Sequence, residues 1–203
     1  MKQRRDKSGR VKDSFWQKWK SWRLGRAIRK GKLPRGRTSA EVHQAIQGTL
    51  RGQMTEVWGV LSARLIRAGG EVLDMGVIST KKVTTAFRDY LVDSLQNSTT
   101  YPLSAFRYHG CGTGTTAEAN TQTALVTEVG SRVSGTGVEG ASANIFRTVA
   151  TLTPGGSYAI TEHGVFSAAS AGVLMDRSLF SAINVGASDS IEFTYECTFN
   201  AEA

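Results

Sequence analysis

The chain predicts a mainly β fold with a few helices, an α+β arrangement in which an antiparallel β-sandwich follows a basic helical N-terminal arm, and three observations carry that prediction. Near the C-terminus Ile191, Phe193, Tyr195, Cys197 and Phe199 alternate with Glu192, Thr194, Glu196 and Thr198, the period of two that gives a strand one buried face. Beyond Ser104, short apolar runs alternate with small turns, as in antiparallel sandwiches. The composition also changes along the chain: the first 37 residues hold fifteen of the 25 Lys and Arg and only two acids, Asp6 and Asp13. They sum to +13 while residues 38–203 sum to −5, so we divide the chain into an arm, 1–37, and a single domain, 38–203.

Self-repulsion and low apolar content keep the arm from burying enough surface to offset its ordering entropy, so it is expected to order against an acidic partner. Phe15, Trp16, Trp19 and Trp22 recur near helical spacing and continue through Leu24, Ala27 and Ile28, between Lys18, Lys20, Arg23, Arg26 and Arg29. A short basic amphipathic helix follows from that pattern, ended by Gly31, Pro34 and Gly36. Such a helix suits a membrane surface, a nucleic acid with aromatic stacking, or a groove on another protein; the plain alternative is a solvated tail. Arg4, Arg5, Trp16, Trp19, Trp22, Arg23, Arg26 and Arg29 are the candidate partner-anchoring residues.

Within the domain, Thr38 with Glu41 has capping-box spacing, and Val42, Ala45, Ile46, Thr49 and Leu50 follow at helical intervals, predicting a helix over 39–50. Residues 56–78 read as a hairpin of strands Val57–Ile66 and Val72–Ile78 around Ala68-Gly69-Gly70, with Trp58, Val60, Leu61, Leu65 and Ile66 supplying the apolar content. Thr84 is placed to cap a helix over 85–96, with Phe87, Tyr90, Leu91, Ser94 and Leu95 on the face expected to pack against a sheet. Asn144–Leu152, Ala159–Ser167, Val173–Met175, Leu179–Val185 and Ile191–Phe199 are the strands expected after it.

Candidate chemistry is thin. The run from His109 to Thr116 is rich in glycine, which lets backbone N–H groups approach an anion, but it lacks the lysine of a phosphate loop and the helix-opening glycine of a dinucleotide fingerprint. It reads as a backbone bend between a strand and a long connection. His109 and Cys111, two apart, would share one face of a strand, yet a metal needs three or four ligands. Glu162-His163 lacks the second histidine of a helical zinc motif, no Gly-x-Ser-x-Gly elbow occurs, and Asp176-Arg177 reads as a local ion pair at a strand end. No catalytic, cofactor or metal site is assigned, and no enzyme is expected. Cys111 and Cys197 are too few for a stapled scaffold and read as buried thiols rather than a bridge. No apolar run approaches the length of about 20 residues that crosses a bilayer, and no signal-peptide core is seen, so cytoplasmic synthesis is the expectation.

Four segments, in order, carry a resemblance. Gly112–Ala119 (GTGTTAEA) with Thr123–Leu125, Ile160–Phe166 (ITEHGVF), Gly172–Phe180 (containing DRSLF) and Asp189–Tyr195 resemble a module of tailed-bacteriophage virion proteins, over about residues 78–200. The resemblance implies a β-sandwich in which these motifs are turn and core positions, and a structural protein present in copies arranged by the particle's symmetry, made in the host bacterial cytoplasm and located in the virion. Its implied partners are other virion proteins of the capsid, portal, neck or tail, with homo-oligomers expected and packaged DNA a further contact for the arm. No long heptad or collagen-like repeat marks a fibre shaft, which favours a head- or neck-associated accessory or decoration protein over a tail or collar fibre with a receptor-binding role.

Overall fold

The computed structural model describes residues 57–199. The arm, its eight anchoring candidates and the helix expected over 39–50 lie outside the described residues. The hairpin forms as expected from Val57–Ile66 (β1) and Val72–Lys82 (β2), the second strand running four residues further than its apolar pattern. Its turn is closed by the Gly70 N–H donating to the Arg67 carbonyl at 2.8 Å, and Gly70 takes φ +87, where a side chain would be strained.

Thr84 caps the helix Thr85–Gln96 (α1): its hydroxyl accepts from the Phe87 N–H at 3.1 Å and donates to the Leu174 carbonyl at 2.5 Å, pinning the helix start to the sheet beneath. The expected inward face is narrower than its spacing suggested. Phe87 and Ser94 are buried, but Leu95 is 82% exposed. Segment 97–106 folds back along the Tyr90 side, where Phe106 meets Phe87 and Tyr90 edge-on at 4.9 Å each, so the buried line is centred on Phe87. Leu95, about 100° around the helix from Ser94, is left outside.

Beyond α1 come Tyr108–Gly112 (β3), Glu128–Ser134 (β4), Thr136–Glu139 (β5), Ile145–Leu152 (β6), Tyr158–Phe166 (β7), Leu174–Val185 (β8) and Ser190–Phe199 (β9). They build two antiparallel sheets, ordered β2-β1-β9-β6-β5 and β4-β3-β7-β8. Leu61, Ala63, Phe193 and Tyr195 of the first sheet and Ile160, Val165, Met175 and Ile183 of the second share one core, so the sheets face each other as a sandwich. At Gly135 the chain passes from β4 in one sheet to β5 in the other. A Cβ there would lie 2.7 Å from the Thr148 hydroxyl, so the corner depends on glycine.

Three strand assignments change. The runs Val173–Met175 and Leu179–Val185 are one strand, β8, because the polar residues Asp176, Arg177 and Ser178 between them are buried in the sheet rather than turned out in a loop. His109–Gly112 is strand rather than bend: Gly110 and Gly112 sit opposite Gly164 and Glu162, where close packing excludes side chains. The edge strands β4 and β5 carry no regular alternating pattern, since β5 is exposed throughout and in β4 only Val129, Arg132 and Val133 are half-buried.

Candidate functional site

The chemistry of this chain is concentrated on the second sheet, on both of its faces. Register pairs Gly112 with Glu162 and Cys111 with His163, so neighbouring residues of β7 project to opposite sides. Glu162 points outward. Its carboxylate accepts the Arg177 Nε–H at 2.7 Å, and both side chains are sealed from solvent, at 0% and 1% exposure.

The connection 113–127 closes over this pair. Glu162 Oε1 accepts the N–H groups of Gly114 at 3.0 Å and Thr127 at 2.7 Å, and Oε2 accepts that of Val126 at 3.1 Å. Arg177 Nη1 donates to the Thr116 carbonyl at 3.0 Å and to Gln122 Oε1 at 3.1 Å. Glycine is required here because a Cβ on Gly114 would stand 2.5 Å from Glu162 Oε1, and one on Gly112 would stand 2.6 Å away. The glycine-rich run therefore does present backbone N–H groups to an anion, and the anion is the chain's own carboxylate. Burial raises the Glu162 pKa, but the N–H groups of Thr127 and Val126 and the Arg177 guanidinium outweigh it and hold the carboxyl below its usual range.

Two further latches fasten the same face. Glu118 accepts from the Leu179 N–H and pairs with Lys81 of β2 at 2.5 Å, tying the connection to both sheets. Arg132 pairs with Glu128 at 2.6 Å, donates to the Ala171 carbonyl at 2.5 Å, and lies 3.3 Å above the Phe166 ring. Phe166 packs there with Leu125, Leu174 and Tyr108 as a small second core. Asp176 and Arg177 do not form the local pair expected from their adjacency, since Arg177 faces Glu162 while Asp176 accepts from the Ser178 hydroxyl at 2.6 Å. Nor do they sit at a strand end; they are the third and fourth residues of β8.

The inward face carries a polar seam through the sandwich. His109 Nδ1 and His163 Nε2 are 3.0 Å apart, and His109 Nε2 is 3.1 Å from the Thr148 hydroxyl across the inter-sheet space. Burial pushes His109 down to about 3 and, together with the neighbouring His109, holds His163 well below the ordinary imidazole range, so the pair is neutral and shares one proton along its contact. Burial pushes Asp176 up to about 7, a carboxylic acid that stays protonated in mild acid. Cys111 is pushed up to about 12 by burial and by the charges of Glu128 and Glu162. Cys197 is raised by burial and Asp176.

Both cysteines are free thiols in the buried core, one on each sheet, as expected. His109 and Cys111 share the inward face but acquire no third ligand; among the described residues no group of three or more His, Cys, Asp or Glu is placed to hold a metal. Serine, histidine and aspartate do lie close at Ser178, His163 and Asp176. Each is 2% exposed or less, and the serine hydroxyl is donated to Asp176, so the arrangement presents no nucleophile to an outside substrate.

The motif segments GTGTTAEA, ITEHGVF and DRSLF thus meet around a single buried ion pair. Sequence reasoning singled out these segments but missed the pair, because Glu162 and Arg177 are joined only by the register of β7 on β8. The signal present was a cluster of polar and charged residues, Thr161-Glu162-His163 and Asp176-Arg177-Ser178, between apolar residues in each of two strand candidates. No helix among the described residues is long and apolar enough to cross a membrane. No family model, curated protein or solved structure matches the chain.

Proposed function

We propose that this chain is a non-enzymatic structural component of a tailed-phage virion, a head- or neck-associated accessory or decoration protein that its basic arm fastens to other virion proteins. The observation that carries the reading is the polarity of the domain. Val57 pairs with Phe199, and Trp58 pairs with Lys82, so the chain leading back to the arm leaves from the same end of the sandwich as the strand finishing at Phe199. The turns 67–71, 153–157 and 186–189 lie at the other end, where Leu65 pairs with Ile191 and Tyr158 with Val185. A domain fastened at one pole and displayed at the other suits a particle surface repeated by symmetry. The ion pair beneath the glycine-rich connection fits the same reading, because it serves rigidity and turns no reactive group outward.

The test is deletion of residues 1–37, with particle incorporation measured by quantitative gel or mass spectrometry. Loss from particles while the domain still folds is the expected result, and unchanged incorporation overturns the proposal. Cryo-EM density at the capsid or portal-proximal neck, against density at the distal tail, separates this station from the fibre alternative. The +13 charge of residues 1–37 favours one second reading, in which the arm contacts packaged DNA. Its mark is an affinity that falls steeply as salt rises, since each neutralised phosphate releases a counterion.

A further inference from the structure

The two sheets meet along one seam that no strand ladder closes. β2 is an edge of the first sheet and β8 an edge of the second, and the two pack against each other. Lys81 of β2 stands at this seam on the inward side. It shares a row with Gly59 and Cys197, next to the row of Ser79, Leu61 and Tyr195, and Leu61, Tyr195 and Cys197 all belong to the core. A lysine so placed needs a partner, and it has one: Nζ meets Glu118 Oε2 at 2.5 Å, the two side chains being 29% and 17% exposed. The other carboxylate oxygen, Oε1, accepts the Leu179 N–H of β8. Three residues before Leu179 on the same strand is Asp176, fully buried. The Ser178 hydroxyl donates to its Oδ1 at 2.6 Å, and Oδ2 has no hydrogen-bond partner among the described residues. The charges of Glu118 and Lys81 both act on Asp176, so an amine and two carboxyl groups form one cluster at the seam.

We propose that Lys81 and Glu118 condense to an amide between Nζ and Cδ, a covalent staple across the seam. The ion pair already holds every atom the step requires. A proton passes from the Lys81 ammonium to Glu118 Oε2, the freed nitrogen lone pair attacks Cδ, and Oε2 takes a second proton from the nitrogen and departs as water. No oxidant, reductant or co-reactant enters. Three features favour condensation over a resting ion pair. The Leu179 N–H holds Oε1, the oxygen that carries the negative charge of the tetrahedral intermediate and remains as the amide carbonyl. Asp176, which burial keeps protonated in mild acid, supplies a carboxylic acid able to pass protons between nitrogen and oxygen. Contact within one chain also replaces encounter in dilute solution, and well-oriented groups reach effective concentrations of about 10⁵ M or more, enough to drive loss of water. The bond would close a loop containing α1 and tie the 113–127 connection to β2, constraining the unfolded chain as a disulfide does, in a domain whose two cysteines stay free. The inference concerns the isolated chain and stands whether or not the particle reading holds.

The test is intact mass spectrometry of the full-length chain, followed over days after purification, with peptide mapping of the product. The expected result is a chain lighter than its sequence by the mass of one water, and a branched tryptic peptide joining residues 81 and 118. A mass that stays at the sequence value overturns the proposal, as does a lost water that maps to any other position. Lys81→Arg keeps a cation beside Glu118 but offers no amine, so its mass should stay at the sequence value; a water lost from this variant counts against the assignment. Asp176→Asn keeps the shape and removes the acid. The bond should then form at least tenfold more slowly while hydrogen exchange of the β8 amides is unchanged, and an unaltered rate overturns the part given to Asp176. The mass of the unmodified chain decides the proposal even if neither variant folds.

Discussion

Glu162→Gln is the perturbation that most directly tests how this domain is held together. The substitution keeps the shape and leaves an oxygen to accept the N–H groups of Gly114 and Thr127, but it puts an amide where Val126 N–H and Arg177 Nε–H now donate. It also strands the Arg177 guanidinium, 1% exposed, without its counter-charge. Breaking a buried pair from one side costs about 3–5 kcal/mol. For a domain of this size each 1 kcal/mol moves the Tm by roughly 2–4 °C, so a loss of at least about 6 °C is expected. Arg177→Met should cost less, about 2–3 kcal/mol, because Glu162 retains three backbone donors. The double variant Glu162→Gln/Arg177→Met should be more stable than the sum of the singles predicts, by about 1–3 kcal/mol, since the stranded cation is gone. Glu162→Leu/Arg177→Met should remain destabilised, because it orphans the three N–H groups that the glycine-rich run turns toward the carboxylate. Urea unfolding followed by circular dichroism measures all four. A cost below about 1 kcal/mol for Glu162→Gln would refute the ion pair as the fastening of the 113–127 connection.

Other expectations follow from the same geometry. In acid the unfolded histidines protonate from about pH 6.5 while buried His109 and His163 stay neutral, so each removes about 1.4 kcal/mol of stability per pH unit below that point. Asp176, protonated up to about 7 when folded, acts oppositely: its contribution is present at low pH and is lost as pH rises from about 4 to about 7. Asp176→Asn should therefore steepen the acid loss between pH 4 and 6.5, read from urea midpoints across pH; an unchanged slope counts against the raised carboxyl. Gly114→Ala, whose Cβ would meet both Glu162 Oε1 and Val126, should cost about 1–3 kcal/mol, whereas Gly69→Ala in the open hairpin turn should be near neutral by thermal melting. Thr84→Ala should cost about 1–2 kcal/mol and speed amide exchange in the first turn of α1, because one hydroxyl serves both the cap and the Leu174 carbonyl.

The elements legible in the sequence are those whose cause is local. Glycines at 69 and 70 make a turn wherever they stand between two apolar runs, Thr84 caps whatever helix follows it, and the alternation from Ile191 to Phe199 announces one buried face. The glycine-rich and DRSLF segments, expected at turn and core positions, do lie in a connection and in buried strand. Their assembly around one carboxylate was not legible, because Glu162 and Arg177 are 15 residues apart and reach each other only through strand pairing.

Composition alone determined the division of charge, a +13 arm ahead of a −5 domain, and with it the expectation of an acidic partner. Local periodicity determined the hairpin, α1 and the last strand. Tertiary structure decided the rest: that His109–Gly112 is strand, that Asp176, Arg177 and Ser178 belong inside β8, and that Leu95 faces out. In each case the deciding force is a neighbour distant in sequence. A glycine reads as a bend until an opposing strand leaves no room for a side chain, and a charged residue reads as surface until its counter-charge arrives from another strand to make burial tolerable.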